Sequence, residues 1–156
     1  MSVEEGDPAP DFELPASGGR TASLRAMRDR PFVLYFYPKA DTPGCTKEAC
    51  AFQEALPQLG NIGVEVIGVS RDKMKPIESF ANKYGLSFPL ASDETGAVAE
   101  AYGAWVEKSM YGKKYMGMDR STFLIDKDGR IAQAWRKVRV NGHAEEVMRA
   151  ARALPE

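Results

Sequence analysis

Hydrophobic positions along this chain fall into continuous apolar runs separated by stretches of helical period. Pro31 to Tyr37 (Pro-Phe-Val-Leu-Tyr-Phe-Tyr) is an unbroken apolar and aromatic run. Its length and composition suit a strand buried on both faces. Val64-Glu65-Val66-Ile67-Gly68-Val69-Ser70 predicts a second such strand. Between the two, Pro38 to Gly44 reads as a loop, and a helix then runs to about Leu59. A helix over roughly Met74 to Tyr84 follows, then a short strand around Phe88 to Ala91 and a helical stretch from Thr95 to Tyr102. Ser121 to Ile125 and Ile131 to Trp135 read as strands flanking the turn Asp126-Lys127-Asp128-Gly129, a hairpin. The last helix starts near Gly142-His143 and runs to Ala153. At the front, Gly6 to Phe12 is a Pro-rich extended lead-in, and Ser17-Gly18-Gly19-Arg20 is a turn between two short strands.

Early strands separated by helices imply parallel pairing with right-handed crossovers, and the late hairpin adds antiparallel strands. The fold class is therefore α/β: a mixed central sheet with helices on both faces. The loop after the first buried strand falls at the carboxyl end of the sheet, where open α/β folds place their sites. The 156 residues fit one domain, residues 1–156. With 44% hydrophobic and 28% charged residues, the composition is that of an ordinary globular protein. A formal charge of −1 argues against an electrostatic nucleic-acid binder, which needs a basic surplus. No apolar run approaches the ~20 residues that span a bilayer. The acidic, polar start Met1-Ser2-Val3-Glu4-Glu5-Gly6 lacks the pattern of a signal peptide, so a cytoplasmic location is expected.

Two cysteines and one histidine cannot supply the four ligands of a structural zinc site, and are too few for a disulfide-stapled secreted fold. What remains is a pair of thiols five residues apart. In Thr42-Pro43-Gly44-Cys45, Thr suits the N-cap and Pro the first helical position, which puts Cys45 in the first turn. Unpaired N–H groups and the positive end of the helix dipole lie there, and both favour a thiolate. A lowered pKa alone does not make a fast nucleophile. A thiol shifted from ~8.5 to ~6 is roughly 30-fold more ionised at neutral pH. Its nucleophilicity meanwhile drops roughly 13-fold on a Brønsted slope of ~0.45. Other groups must hold the substrate and stabilise charge on the leaving oxygen. The plain alternative for Cys45 is a small buried hydrophobe.

Cys50 lies five residues on. In an intact helix the two Cα atoms stand ~8.7 Å apart, rotated by ~140°, beyond the ~7 Å reach of a disulfide. Two readings stand at this point. The thiols are unrelated, or the helix unwinds locally so that Cys50 captures an oxidised Cys45. Arg120 stands at the entrance to the Ser121–Ile125 strand, where a guanidinium could face the thiolate and donate to a peroxide oxygen. Position alone favours a solvated surface arginine. Thr42 is read as a helix cap that also offers a hydrogen bond near the sulfur. Lys39 and Glu48 read as surface residues, His143 as a local cap of the last helix, and Trp105 and Trp135 as core. The group Met110, Tyr111, Tyr115, Met116 and Met118 is open between core packing and an adaptable apolar rim for substrate.

The segment from Phe36 to Cys50, Phe-Tyr-Pro-Lys-Ala-Asp-Thr-Pro-Gly-Cys-Thr-Lys-Glu-Ala-Cys, resembles the active-site segment of peroxiredoxins. More narrowly it is similar to the bacterioferritin comigratory protein subfamily, also called peroxiredoxin Q. Ala9 to Leu14, Tyr111 to Lys113, Arg120 to Asp126 and Gly142 to Val147 agree as well, so the likeness covers nearly the whole chain. The resemblance implies a thioredoxin-like fold and a thiol peroxidase with no metal or organic cofactor. It implies Cys45 as the peroxidatic and Cys50 as the resolving cysteine, with Pro38, Thr42 and Arg120 completing the pocket. It implies hydrogen peroxide and organic hydroperoxides as substrates, thioredoxin or a similar dithiol as electron donor, and a monomer with an intrachain disulfide. One departure is Ala40-Asp41, where the family more often has Asp directly after the Lys. A thioredoxin-like disulfide reductant is the alternative enzyme, but its usual Cys-x-x-Cys is missing. A peroxide-reporting sensor module lacks a further domain or charged tail through which to signal.

Overall fold

The structure, a computed structural model, describes residues 3–155. Its centre is β3 (Phe32–Phe36), whose five side chains are all buried. That explains the unbroken apolar run, since a strand flanked on both edges and covered on both faces has no side left for polar residues. β4 (Glu65–Ser70) runs parallel to β3, with Phe32 opposite Glu65 and Phe36 opposite Val69. β5 (Leu90–Ser92) is parallel to β4. On the other edge β8 (Ser121–Ile125) is antiparallel to β3, and β9 (Ile131–Trp135) folds back along it. β1 (Glu13–Ala16) and β2 (Arg20–Ser23) form an antiparallel extension beyond β5. The sheet order is β2-β1-β5-β4-β3-β8-β9, the mixed sheet expected from the order of elements.

Alternation along β3 divides the core. Val33, Tyr35 and Tyr37 face α1 (Pro43–Asn61), α2 (Met74–Tyr84) and α4 (His143–Arg152). Phe32, Leu34 and Phe36 face the short α3 (Ala97–Ala101), together with Phe12, Tyr102 and Phe123. Helices therefore cover both faces, three on one and one on the other. The buried stripe of α1, Cys45, Ala49, Phe52 and Leu59, has the spacing of one helical face. Phe52 anchors it, stacking on Tyr35 with ring centroids 4.8 Å apart. No helix among the described residues is long and apolar enough to cross a membrane.

Residues 105–118, for which the sequence pattern predicts no element, form a separate two-stranded hairpin, β6 (Trp105–Met110) and β7 (Lys113–Met118). Both strands are largely solvated, and their apolar residues do not alternate regularly with polar ones, so neither carries the pattern that marks a half-buried strand. The turn adopts positive φ at Tyr111 (52°) and Gly112 (77°), the backbone of a tight hairpin turn, with Tyr where Asn or Asp is usual. Of the methionine and tyrosine group, Met118 is core, while Met110, Tyr111, Tyr115 and Met116 are exposed. Trp105 and Trp135, expected in the core, are half-buried. Trp105 lies under Arg71, whose guanidinium carbon is 4.3 Å from the ring centre. β5 starts two residues later than expected, and α3 is confined to residues 97–101.

Candidate active site

The site is built where β3 ends. Tyr37 still donates its N–H to the Val69 carbonyl at 3.0 Å, and the chain then leaves the sheet through exposed Pro38 and Lys39. Ala40 is buried and donates its N–H to Asp72 Oδ2 at 2.7 Å. Asp41 takes a left-handed backbone, φ 59°. Its carboxylate accepts from Lys83 Nζ at 3.0 Å and Tyr84 Oη at 2.8 Å. Those two bonds hold it below the usual carboxylate range. The departure at Ala40-Asp41 thus ties the loop to the turn after β4 and to α2.

Thr42 occupies the N-cap position of α1 with an extended backbone, but its side chain caps no helical N–H. Its hydroxyl proton goes back to the Lys39 carbonyl at 2.8 Å, so the loop takes the bond expected for the helix. Pro43 opens the helix and the Thr46 N–H closes the first turn on the Thr42 carbonyl at 2.8 Å. Cys45 follows as the third helical residue, 1% exposed.

Arg120 reaches Cys45 because of strand pairing. β8 is antiparallel to β3 and sets Ser121 opposite Phe36. Residue 120 therefore stands beside the carboxyl end of β3, where α1 begins. Arg120 Nη2 donates to Cys45 Sγ at 3.4 Å, and Nη1 donates to Glu48 Oε1 at 2.7 Å. Gly44 leaves room for this approach, since a Cβ there would lie 3.1 Å from Nη2. The guanidinium is thus shared between the thiol and a carboxylate, with two donors aimed along one helix face.

Glu48 corrects the expectation of a surface residue. It is 1% exposed because position i+3 from Cys45 lies on the same helix face. Burial pushes its carboxyl up to about 7, against the opposing pull of Arg120. Burial also disfavours the Arg120 cation, but Glu48 and Cys45 outweigh it and leave the cation firmer than usual. Glu48 Oε2 and the Tyr35 hydroxyl are buried without hydrogen-bond partners. Each such orphan costs on the order of 1–3 kcal/mol, which the packing around it must offset. The signal that marks Glu48 was present in the sequence: it falls inside the Cys45, Ala49, Phe52 stripe.

Cys50 is half-buried on α1, and both thiols are free. The helix is continuous through both positions, so the separation argued from helical geometry applies. His143 does not cap α4; Gly142 is the N-cap and no side chain bonds there. Its Nε2 pairs with Thr122 Oγ1 at 2.8 Å, and its ring meets Phe52 and Trp135 edge-on. Burial drives its pKa down to about 4, keeping it neutral. A cleft of about 580 Å³ lies at the opposite end of β3, among Arg25, Arg28 and Asp126, and none of the site residues lines it.

A mixed sheet that sets a thiol in the first turn of a helix is a thioredoxin-like frame, and here it brings a guanidinium onto the thiol. The chain belongs to the AhpC/TSA family, whose model matches residues 5–134, and is a thiol-dependent peroxidase, a peroxiredoxin. It is 47% identical over 148 residues to peroxiredoxin Bcp of Xanthomonas campestris pv. campestris, covering 94% of this chain and 92% of that one. Among solved structures, a cysteine-to-serine variant of PrxQ from Xylella fastidiosa superposes with a TM-score of 0.92 at 41% identity, over 98% of each chain. A structure of the Xanthomonas campestris bacterioferritin comigratory protein, examined for alkyl peroxide reduction, superposes with a TM-score of 0.88 at 45% identity, over 91% of this chain and 90% of that one.

Proposed function

We propose that Cys45 is the peroxidatic nucleophile and Cys50 its resolving partner. The Cys45 thiolate attacks the terminal oxygen of a hydroperoxide. The O–O bond breaks, the sulfur is oxidised to sulfenic acid, and the distal oxygen leaves as water or alcohol after taking one proton. The observation that carries this reading is Arg120 Nη2 at 3.4 Å from Sγ. A cation there supports the thiolate and donates to the oxygens as negative charge moves across the O–O bond. Glu48, through Nη1, keeps the guanidinium from swinging away. Pro38 and Thr42 wall the approach from the loop side, and the Thr42 oxygen keeps lone pairs free to accept from a peroxide O–H. With Cys45 only 1% exposed, the site favours a slender oxidant over a bulky disulfide.

Resolution requires a change of shape. Cys50 sulfur attacks Cys45 sulfur, the S–OH bond breaks, and water leaves with an intrachain disulfide formed. Since the intact helix holds the Cα atoms beyond disulfide reach, the first turns of α1 unwind at this step and Cys45 leaves Arg120. Thioredoxin or a similar dithiol then reduces the bond. Hydrogen peroxide and organic hydroperoxides are the substrates, the latter supported by the alkyl peroxide reduction examined in the Xanthomonas relative. A monomer in the cytoplasm suits an intrachain disulfide and two free thiols that need a reducing compartment.

The test is peptide mass mapping after one equivalent of peroxide. A Cys45–Cys50 link within a single chain is expected. Cys50→Ser should trap a dimedone-reactive sulfenic acid on Cys45, and Cys45→Ser should abolish turnover. Peroxide turnover by Cys45→Ser, or a Cys50→Ser enzyme cycling with thioredoxin at the wild-type rate, removes the corresponding assignment.

A further inference from the structure

We propose that Lys108 is a positioning residue for the peroxide site: it clamps the strap of residues 118–120 that delivers Arg120 to Cys45. The inference rests on the reading of Arg120 given above and extends it to the hairpin that precedes it.

Lys108 lies on β6 directly opposite Tyr115 on β7. Lys113 and Lys114 on the same hairpin are exposed, whereas Lys108 is half-buried. Its stem lies flat across Gly117. A Cβ on that glycine would stand 3.1 Å from Lys108 Cδ and 3.4 Å from both Lys108 Cε and Tyr115 Cε2. A methyl there would crowd the stem and make it give by a few tenths of an ångström. The ammonium ends on the Met118 carbonyl, with Nζ to oxygen at 2.6 Å, a short bond assisted by the charge of the donor.

The next links of the strap are held in turn. The Asp119 N–H donates to the Ala104 carbonyl at 2.7 Å, and Ser121 Oγ donates to the Asp119 carbonyl at 2.9 Å. The Val138 N–H donates to the Arg120 carbonyl at 2.9 Å. Each carbonyl from 118 to 120 is therefore engaged. The first is held by a charged side chain from the hairpin rather than by a hydroxyl or a main-chain N–H. The buried Met118 side chain pins the same residue from the core side. Arg120 must keep one donor on Cys45 and the other on Glu48, and such a fork tolerates little drift of its own backbone. Misplacement of about 1 Å in a catalytic constellation costs up to about 100-fold. Lys108 touches neither thiol nor substrate; it acts through the strap.

The experiment measures Cys45 oxidation by hydrogen peroxide in stopped flow, and disulfide reduction by dithiothreitol, for Lys108→Met, Lys108→Arg, Gly117→Ala, Lys113→Met and Arg120→Ala. Lys108→Met should slow oxidation about tenfold while leaving the reduction step and the melting temperature near wild type. Lys108→Arg, which still donates to the carbonyl, should restore most of the rate, and the surface control Lys113→Met should match wild type. Gly117→Ala crowds the stem without removing the charge, and should slow oxidation in the same direction by a smaller factor even if Lys108→Met folds poorly. In the Arg120→Ala background Lys108→Met should add nothing. Wild-type oxidation rates in Lys108→Met and Gly117→Ala overturn the proposal, as does an undiminished effect in Arg120→Ala. If Arg120→Ala itself leaves oxidation unchanged, the reading of Arg120 falls and this one with it. If only the Lys108 and Gly117 variants are silent, the inference alone falls.

Discussion

Glu48 shows how much a single buried carboxylate settles at this site. It gives up one oxygen to Arg120 Nη1 and keeps the other unpaired in the core. Removing one partner of a buried ion pair is more costly than the pair is worth, because the remaining charge is left alone. Glu48→Ala should therefore lower stability by about 3 kcal/mol or more and slow peroxide oxidation of Cys45 by roughly tenfold or more. Glu48→Gln, which still accepts from Nη1, should retain more of both. Denaturant melts and single-turnover oxidation kinetics check this, and equal rates in all three proteins would reduce Glu48 to a packing residue. Residue chemistry was unevenly legible. Cys45 announced itself through Thr-Pro-Gly in front of it. Glu48 departs from the expectation that a charged residue is solvated, although its spacing from Cys45 marks the inner face.

Among the elements, α1 carries the burden. Its first turn must be ordered to place Cys45 against Arg120, and must disorder for Cys50 to reach the same sulfur. The unpaired Glu48 Oε2, within the segment that opens, lowers the cost of opening it, since exposure to water satisfies it. The distal half is anchored by Phe52 and Leu59, both fully buried. Amide exchange in the disulfide form should therefore accelerate over residues 43–50 and stay slow beyond Phe52. Uniform acceleration along the whole helix, or none, would contradict this division. The strands and α1 were readable because burial imposes a period on their side chains. The β6–β7 hairpin was not, because it stands apart from the sheet and buries little, so nothing disciplines its pattern.

Across the whole molecule, two buried titrating groups oppose one another in their effect on stability. His143 titrates near 6.5 when unfolded and about 4 when folded. The unfolded chain binds the extra proton between those values, so His143 costs stability as pH falls from 6.5 to 4. The full effect is about 3 kcal/mol. Glu48 runs the other way. Its carboxyl titrates near 4.5 when unfolded and about 7 when folded, so the folded chain holds the proton longer and stability declines as pH rises from 4.5 to 7. Their overlap should leave the wild-type protein nearly flat in stability between about pH 4.5 and 6.5. Glu48→Gln should uncover a loss toward acid, and His143→Gln a loss toward neutrality. Denaturant midpoints across pH measure both, and parallel profiles in all three proteins would refute the assignment.

Local sequence determined the buried strands, the helix that opens on Thr-Pro-Gly-Cys, and a cysteine spacing that no intact helix can bridge. These follow from side-chain period, capping chemistry and helix dimensions, which act over a few residues. Only the tertiary structure decided that Arg120, 75 positions away, ends on Cys45 Sγ, and that Glu48 turns inward to share it. That meeting depends on β8 pairing antiparallel to β3 in one register. Pairing between distant strands is chosen by the packing of the whole core rather than by any neighbouring residues.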